Sequence, residues 1–157
     1  MDPRSSATPE VLAQQFDLSR QMFKQVMRSR RVLVEIKGVQ KQLTAVSEKI
    51  ADANSELKQS VAQMQTAIAA ILSGSGKPAQ ADGLEDAQSG MAAALRVVEG
   101  GDRATPSQAM RLYEESEQVA TLRLNDWDQL KARQLAQLND RLKQANQGQI
   151  LLRDTQP

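Results

Sequence analysis

LVEIKGVQKQLTAVSEKIADANSELKQSVAQMQTAIAAIL, residues 33–72, is the stretch whose reading decides the fold. Its apolar positions, Leu33, Ile36, Val39, Leu43, Val46, Ile50, Ala53, Leu57, Val61, Met64, Ile68 and Ile71, recur in steps of three and four. That is the seam of a helix packed against other helices, with coiled-coil-like spacing. Two readings follow. One helix could run from Pro9 to Leu72, about 95 Å at 1.5 Å per residue. Alternatively the chain turns within Ala51-Asp52-Ala53-Asn54-Ser55, the one cluster of cap-forming residues there. The turn is the preferred reading, since it lets a long helix pair with a long one and a short helix with a short one; the unbroken heptad phase speaks for the single helix.

Toward the N-terminus the same seam extends back through Arg30, Val26, Phe23, Ser19 and Phe16 to Leu12. Thr8, Pro9 and Glu10 supply a capping oxygen, a first-turn proline and an acid at the positive end of the dipole, so the helix is expected to start at Pro9 after an extended lead-in, residues 1–8. Toward the C-terminus, residues 73–81 read as a linker. Asp82 and Glu85 then resemble a capping box for a short helix with Leu84, Ala87, Met91, Ala94, Leu95 and Val98 inward, ended by Gly100-Gly101. After a loop at 100–105, Thr105-Pro106-Ser107-Gln108 opens the last helix with a cap, a first-turn proline and a glutamine at the third helical position. Its seam is Met110, Tyr113, Glu117, Ala120, Leu124, Trp127, Lys131, Leu135, Leu138 and Leu142, and Gly148 is the expected stop. The fold expected is therefore all-α: an elongated antiparallel bundle of three to four helices, two of them long, over residues 9–150, with a frayed tail at 151–157.

Composition agrees. Aromatic residues are only 3% of the 157, and strand-forming runs are nearly absent. Twenty basic and nineteen acidic residues leave a net charge of +1, so no global field selects a polyanion. With no Cys there are no disulfides or thiolate ligands, and with no His the commonest general base and metal ligand are missing. No apolar run approaches the roughly 20 residues a membrane-spanning helix needs, and the first six residues lack the apolar stretch of a secretory signal.

Four local features invite a sharper functional claim. Gly74-Ser75-Gly76-Lys77 has the look of a phosphate loop, but Ile71 stands where the first glycine belongs and Pro78 replaces the Ser/Thr. Glu114, Glu115 and Glu117 offer carboxylates, read as a solvated first turn complementing the helix dipole. Arg20, Lys24, Arg28, Arg30, Arg31, Lys37 and Lys41 form a basic stretch containing one acid, Glu35. Such a face could bind nucleic acid or anionic lipid; however, residues 79–118 hold eight acids and three bases. In an antiparallel bundle the start of the last helix lies beside the later part of the first, so the two blocks are expected to neutralise each other, and nucleic acid is not an expected partner. Trp127, Tyr113, Phe16 and Phe23 lie in or beside the seams and are read as core. No catalytic, cofactor-binding or metal-binding residue is expected, nor any cofactor or enzymatic activity.

Several phrases resemble a known family. Asp2-Pro3-Arg4, Gln15-Phe16-Asp17-Leu18, Asp102-Arg103-Ala104-Thr105-Pro106-Ser107, Trp127, Leu138-Asn139 and Gly148-x-Ile150 are similar to the C-terminal helical region of large bacterial proteins with sortilin-like, sialidase-repeat β-propellers, often labelled glycosyl hydrolases. The chain carries neither propeller nor Ser-x-Asp-x-Gly-x-x-Trp sialidase box, so no propeller site transfers to it. The resemblance implies a terminal accessory module for docking, assembly or spacing, joined to its own propeller or to a partner helix, in a cell-envelope or exported protein. The competing expectation is a free-standing cytoplasmic coiled-coil adaptor that forms a homodimer through the heptads from Leu43 to Ile71.

Overall fold

The computed structural model describes residues 8–50, 54–74, 83–101 and 104–152. Four helical rods make up the molecule, two long and two short, with no strand among the described residues. Helix α1 (Pro9–Lys49) is 41 residues long, about 60 Å. The Thr8 hydroxyl accepts from the Val11 N–H at 3.4 Å, as its sequence position predicts. Hydrogen bonds from its own backbone and from Thr8 hold the Glu10 carboxyl below its ordinary range. The helix ends where Ile50 turns to extended backbone, and α2 (Ser55–Ser73) restarts under an Asn54 cap. The chain thus turns between the two, as preferred above; residues 51–53, Ala53 of the seam included, lie outside the described residues.

Helix α3 (Leu84–Glu99) follows, and α4 (Ser107–Leu130) continues through a π-helical turn (Lys131–Leu135) into α5 (Ala136–Gln144), a single rod of 38 residues. Gly74 ends α2 with φ 71°, a backbone state open to glycine but strained for other residues. Gly83 then lies so close to Leu72 that a Cβ there would overlap the Leu72 carbonyl oxygen. The chain therefore leaves at Gly74 and comes back to the same point, and α3 resumes where α2 stopped.

This return sets the topology. Gln15, near the start of α1, donates to the Val98 carbonyl and, at 2.9 Å, to that of Gly101, at the end of α3. Lys37, farther along α1, pairs with Glu85 at the start of α3 at 2.7 Å. So α3 runs antiparallel to α1. Ser60 of α2 meets Arg141 of α5 at 2.6 Å, and Met64 lies beside Leu138. The two short helices run in series, down one leg: α2 along the far part of the long helices, α3 along the near part. The third leg then rises parallel to α1, with Trp127 beside Glu35. This corrects the expectation that the start of the last helix lies beside the later part of the first. Two short helices in series use up only one leg of the bundle.

One continuous core fills the space between the legs. The inward positions expected for α3, Leu84, Ala87, Met91, Ala94, Leu95 and Val98, are all buried, as are Leu57, Val61, Met64, Ile68 and Ile71 of α2. The first half of α1 departs from the expectation. Its buried line passes through Met22, Val26, Ser29 and Leu33, while Phe16 and Phe23 are 68% and 52% exposed. Desolvation explains the choice. Ser29 is the one uncharged residue among 28–31, so a seam through Ser29 leaves Arg28, Arg30 and Arg31 in water, whereas the phenylalanine phase would bury Arg30.

The helix ends also differ in detail. Leu84 follows Gly83 with no side-chain cap, and Asp82 of the expected capping box lies outside the described residues. Pro106, not Thr105, holds the N-cap position of α4. The final helix stops before Gly148, at Asn146 (φ 54°). There Gln147 N–H bonds the Leu142 carbonyl at 2.8 Å and Asn146 N–H that of Lys143 at 3.1 Å, the paired bonds of a Schellman motif. Ile150 returns to the core, clasped by Asn139, which donates to its carbonyl and accepts from its N–H.

Candidate interaction surface

The side chains singled out from the sequence separate into an inner cluster and an outer face. Trp127 is fully buried. Its indole Nε1–H donates to Glu35 Oε1 at 2.8 Å, and the same oxygen accepts from Lys131 Nζ at 3.1 Å. Lys131 also pairs with Asp128 at 3.0 Å and stands 5.6 Å from the centre of the Trp127 ring. Burial pulls the Lys131 ammonium down, but hydrogen bonds to Asp128 and Glu35 and their charges outweigh it, leaving its pKa above the ordinary value. The π-helical turn begins at Lys131. By widening the rod it brings Leu130 and Leu135, five residues apart, both into the core, while Lys131 keeps its place against Glu35.

Tyr113 is buried too, and its hydroxyl donates to Glu117 Oε1 at 2.9 Å. Burial and that carboxylate push the phenol above its usual range. Glu114 and Glu115 are exposed, and with α4 starting at Ser107 none of the three glutamates stands in a first turn, contrary to the expectation. No group of three or more metal-ligating side chains occurs among the described residues. Of the phosphate-loop look-alike, Gly74 closes α2, and residues 75–77 lie outside the described residues.

The basic stretch behaves differently from its expectation. Among the described residues, Lys37–Glu85 is the one ion pair that joins it to the acidic block. Arg20, Lys24, Arg28, Arg30, Arg31 and Lys41 are exposed and form no ion pair with the described residues. The start of α4 lies level with the first part of α1, and Glu114 and Glu115 are exposed there without an ion pair to these cations.

Phe16, Phe23 and Val34, the last 53% exposed, fall within about 20° of one another around α1 at 100° per residue. Arg20, Lys24 and Arg31 flank this line on one side, Arg30 and Lys41 on the other. Beside Phe16 and Phe23 an open cleft of ≈ 520 Å³ is lined also by Leu12, Arg20, Glu99 and Gly101. Its floor is fixed by Gln15, which ties α1 to the end of α3. At the other end, Leu151 lies beside Val34 and Lys41. Gln42 holds it there with two 2.8 Å bonds, donating to its carbonyl and accepting from its N–H. Sequence periodicity missed this surface because phenylalanines at helical spacing read as core. The signal that could have found it was the run of arginines at 28, 30 and 31, which forces the seam through Ser29.

No family model, curated protein or solved structure matches the chain.

Proposed function

We propose that this chain is a non-catalytic helical docking module that presents one face of α1 to a partner, as the terminal accessory part of a larger β-propeller protein. The observation that carries the docking reading is the exposed line of Phe16, Phe23 and Val34 bordered by cations that form no ion pair with the described residues. Solvent-exposed aromatic and aliphatic side chains aligned on one helix face are unfavourable in water and gain when a partner covers them. The absence of Cys and His from the sequence supports a non-catalytic role. The propeller connection rests on the resemblance of the Gln15-Phe16-Asp17-Leu18 and Asp102–Ser107 phrases. The self-associating adaptor reading loses its motive, because the heptads between Leu43 and Ile71 are spent inside the bundle, where Leu43, Leu57, Val61, Met64, Ile68 and Ile71 are buried.

An antibody raised against the chain tests the appended-module reading on denatured extracts of the native cells. A band far above 17.2 kDa is the expected result. A single band at 17.2 kDa contradicts it and returns the free-standing adaptor.

A further inference from the structure

We infer that the exposed face of α1 docks on an anionic lipid surface, with Phe16, Phe23, Val34 and Leu151 entering the headgroup boundary and Arg20, Lys24, Arg30, Arg31 and Lys41 meeting the phosphates. The inference rests on the docking reading and names the partner's chemistry.

Three observations carry it. The first is charge. Among the described residues, the cations of this face have no acidic partner, so the surface is complementary to a polyanion although the whole chain is close to neutral. Of the acids in this part of α1, Asp17 lies about 100° around the helix from Phe16, and Glu35 is engaged by Trp127 and Lys131. Glu99, from the end of α3, is the one acid that lines the cleft beside Phe16 and Phe23 among the described residues.

The second is the order of apolar and basic groups. An apolar line bordered on both sides by Lys and Arg is the arrangement of a helix lying in a membrane interface, where apolar side chains enter the acyl boundary and long cationic ones reach the headgroups. No helix among the described residues is long and apolar enough to cross a membrane, and the contact inferred is a surface one. The third is the kind of apolar group. Val34 and Leu151 are aliphatic and cannot stack on bases, so a nucleic acid would use the cations and phenylalanines but leave this end of the line uncovered. A bilayer covers all four.

The test is co-sedimentation of the full chain with vesicles of phosphatidylcholine alone and of phosphatidylcholine mixed with phosphatidylglycerol. The expected result is binding to the mixed vesicles only, weakened as salt shortens the screening length. Phe16→Ser/Phe23→Ser should weaken it by about tenfold or more, and Arg20→Gln/Arg31→Gln by about fivefold for each lost cation. These positions are exposed, so the variants should keep the parent's helical content and melting, which circular dichroism verifies. Equal sedimentation with both vesicle types overturns the inference, as does binding unchanged by either double variant. So does the absence of binding, or displacement from the vesicles by a single-stranded oligonucleotide at lower concentration than the lipid. The antibody result is independent of all of these: a large native product with no vesicle binding keeps the docking reading and removes lipid as its partner.

Discussion

Trp127 Nε1–H donates to Glu35 Oε1 at 2.8 Å across 92 positions of the chain, and this bond ties the third leg of the bundle to the first. Trp127 supplies the largest fully buried side chain, and Glu35 the polar atom its N–H requires. Lys131 then uses the same carboxylate oxygen, so one half-buried acid satisfies two donors from successive turns.

Trp127→Ala should destabilise the fold by about 3–5 kcal/mol, through a large cavity and the loss of its hydrogen bond to Glu35. Trp127→Phe keeps most of the apolar volume and loses the hydrogen bond, at a cost of about 1 kcal/mol beyond the packing change. Denaturant titration measures both. Trp127 is the only tryptophan, so the parent's emission should lie at short wavelength and resist quenching by iodide; a water-like spectrum contradicts its burial.

Two glycines should respond in opposite directions. Gly38 lies in α1 with nothing within 4 Å of an added Cβ, so Gly38→Ala should stabilise by about 0.5–1 kcal/mol. Gly90 lies where α3 approaches α4, and a Cβ there would overlap the Ser116 hydroxyl. Gly90→Ala should lower the melting temperature as the two helices part or Ser116 shifts. Thermal melts followed by circular dichroism distinguish the two outcomes.

Alkaline pH should weaken the fold. The folded-state pKa values of Tyr113 and Lys131 are both raised above their ordinary values, 10.0 and 10.5. Between the unfolded and folded values the native state holds protons that the unfolded state has released, so stability falls as pH rises. Their contribution is complete below about pH 10 and declines above it. Tyr113→Phe should flatten the first part of that decline, which melting curves at stepped alkaline pH would reveal.

What was legible in the sequence followed the strength of each local signal. Faces of α2 and α3 were readable because each has one apolar stripe and no charge competing for it. Thr8-Pro9-Glu10 marked the start of α1 with three independent cues. In the first half of α1 two phases were available, one through Phe16 and Phe23 and one through Met22 and Ser29. Counting apolar side chains favoured the wrong one, because the deciding term was the cost of burying Arg30. The close approach at Gly90 left no mark, since a helix glycine looks like a simple loss of propensity until its neighbour is known. Asn146 could replace Gly148 as the stop because asparagine tolerates left-handed backbone. The course of the legs was hidden for a different reason: whether α2 and α3 lie side by side or in series depends on where Gly83 returns, and that is a tertiary contact with Leu72.

The exposed face of α1 exists because the bundle has three legs; a fourth leg, with α2 and α3 side by side, would demand a different set of buried faces. Distances between spin labels test this most directly, and the cysteine-free chain lets two introduced cysteines carry the only labels. Gln21→Cys with Arg111→Cys should give the short distance, since both sites lie at the near end of their rods. Gln21→Cys with Gln137→Cys should give a longer one, offset by about 35–40 Å along the bundle at 1.5 Å per residue. The reverse order would mean that the two long helices run antiparallel, and would contradict the fold on which the docking face depends.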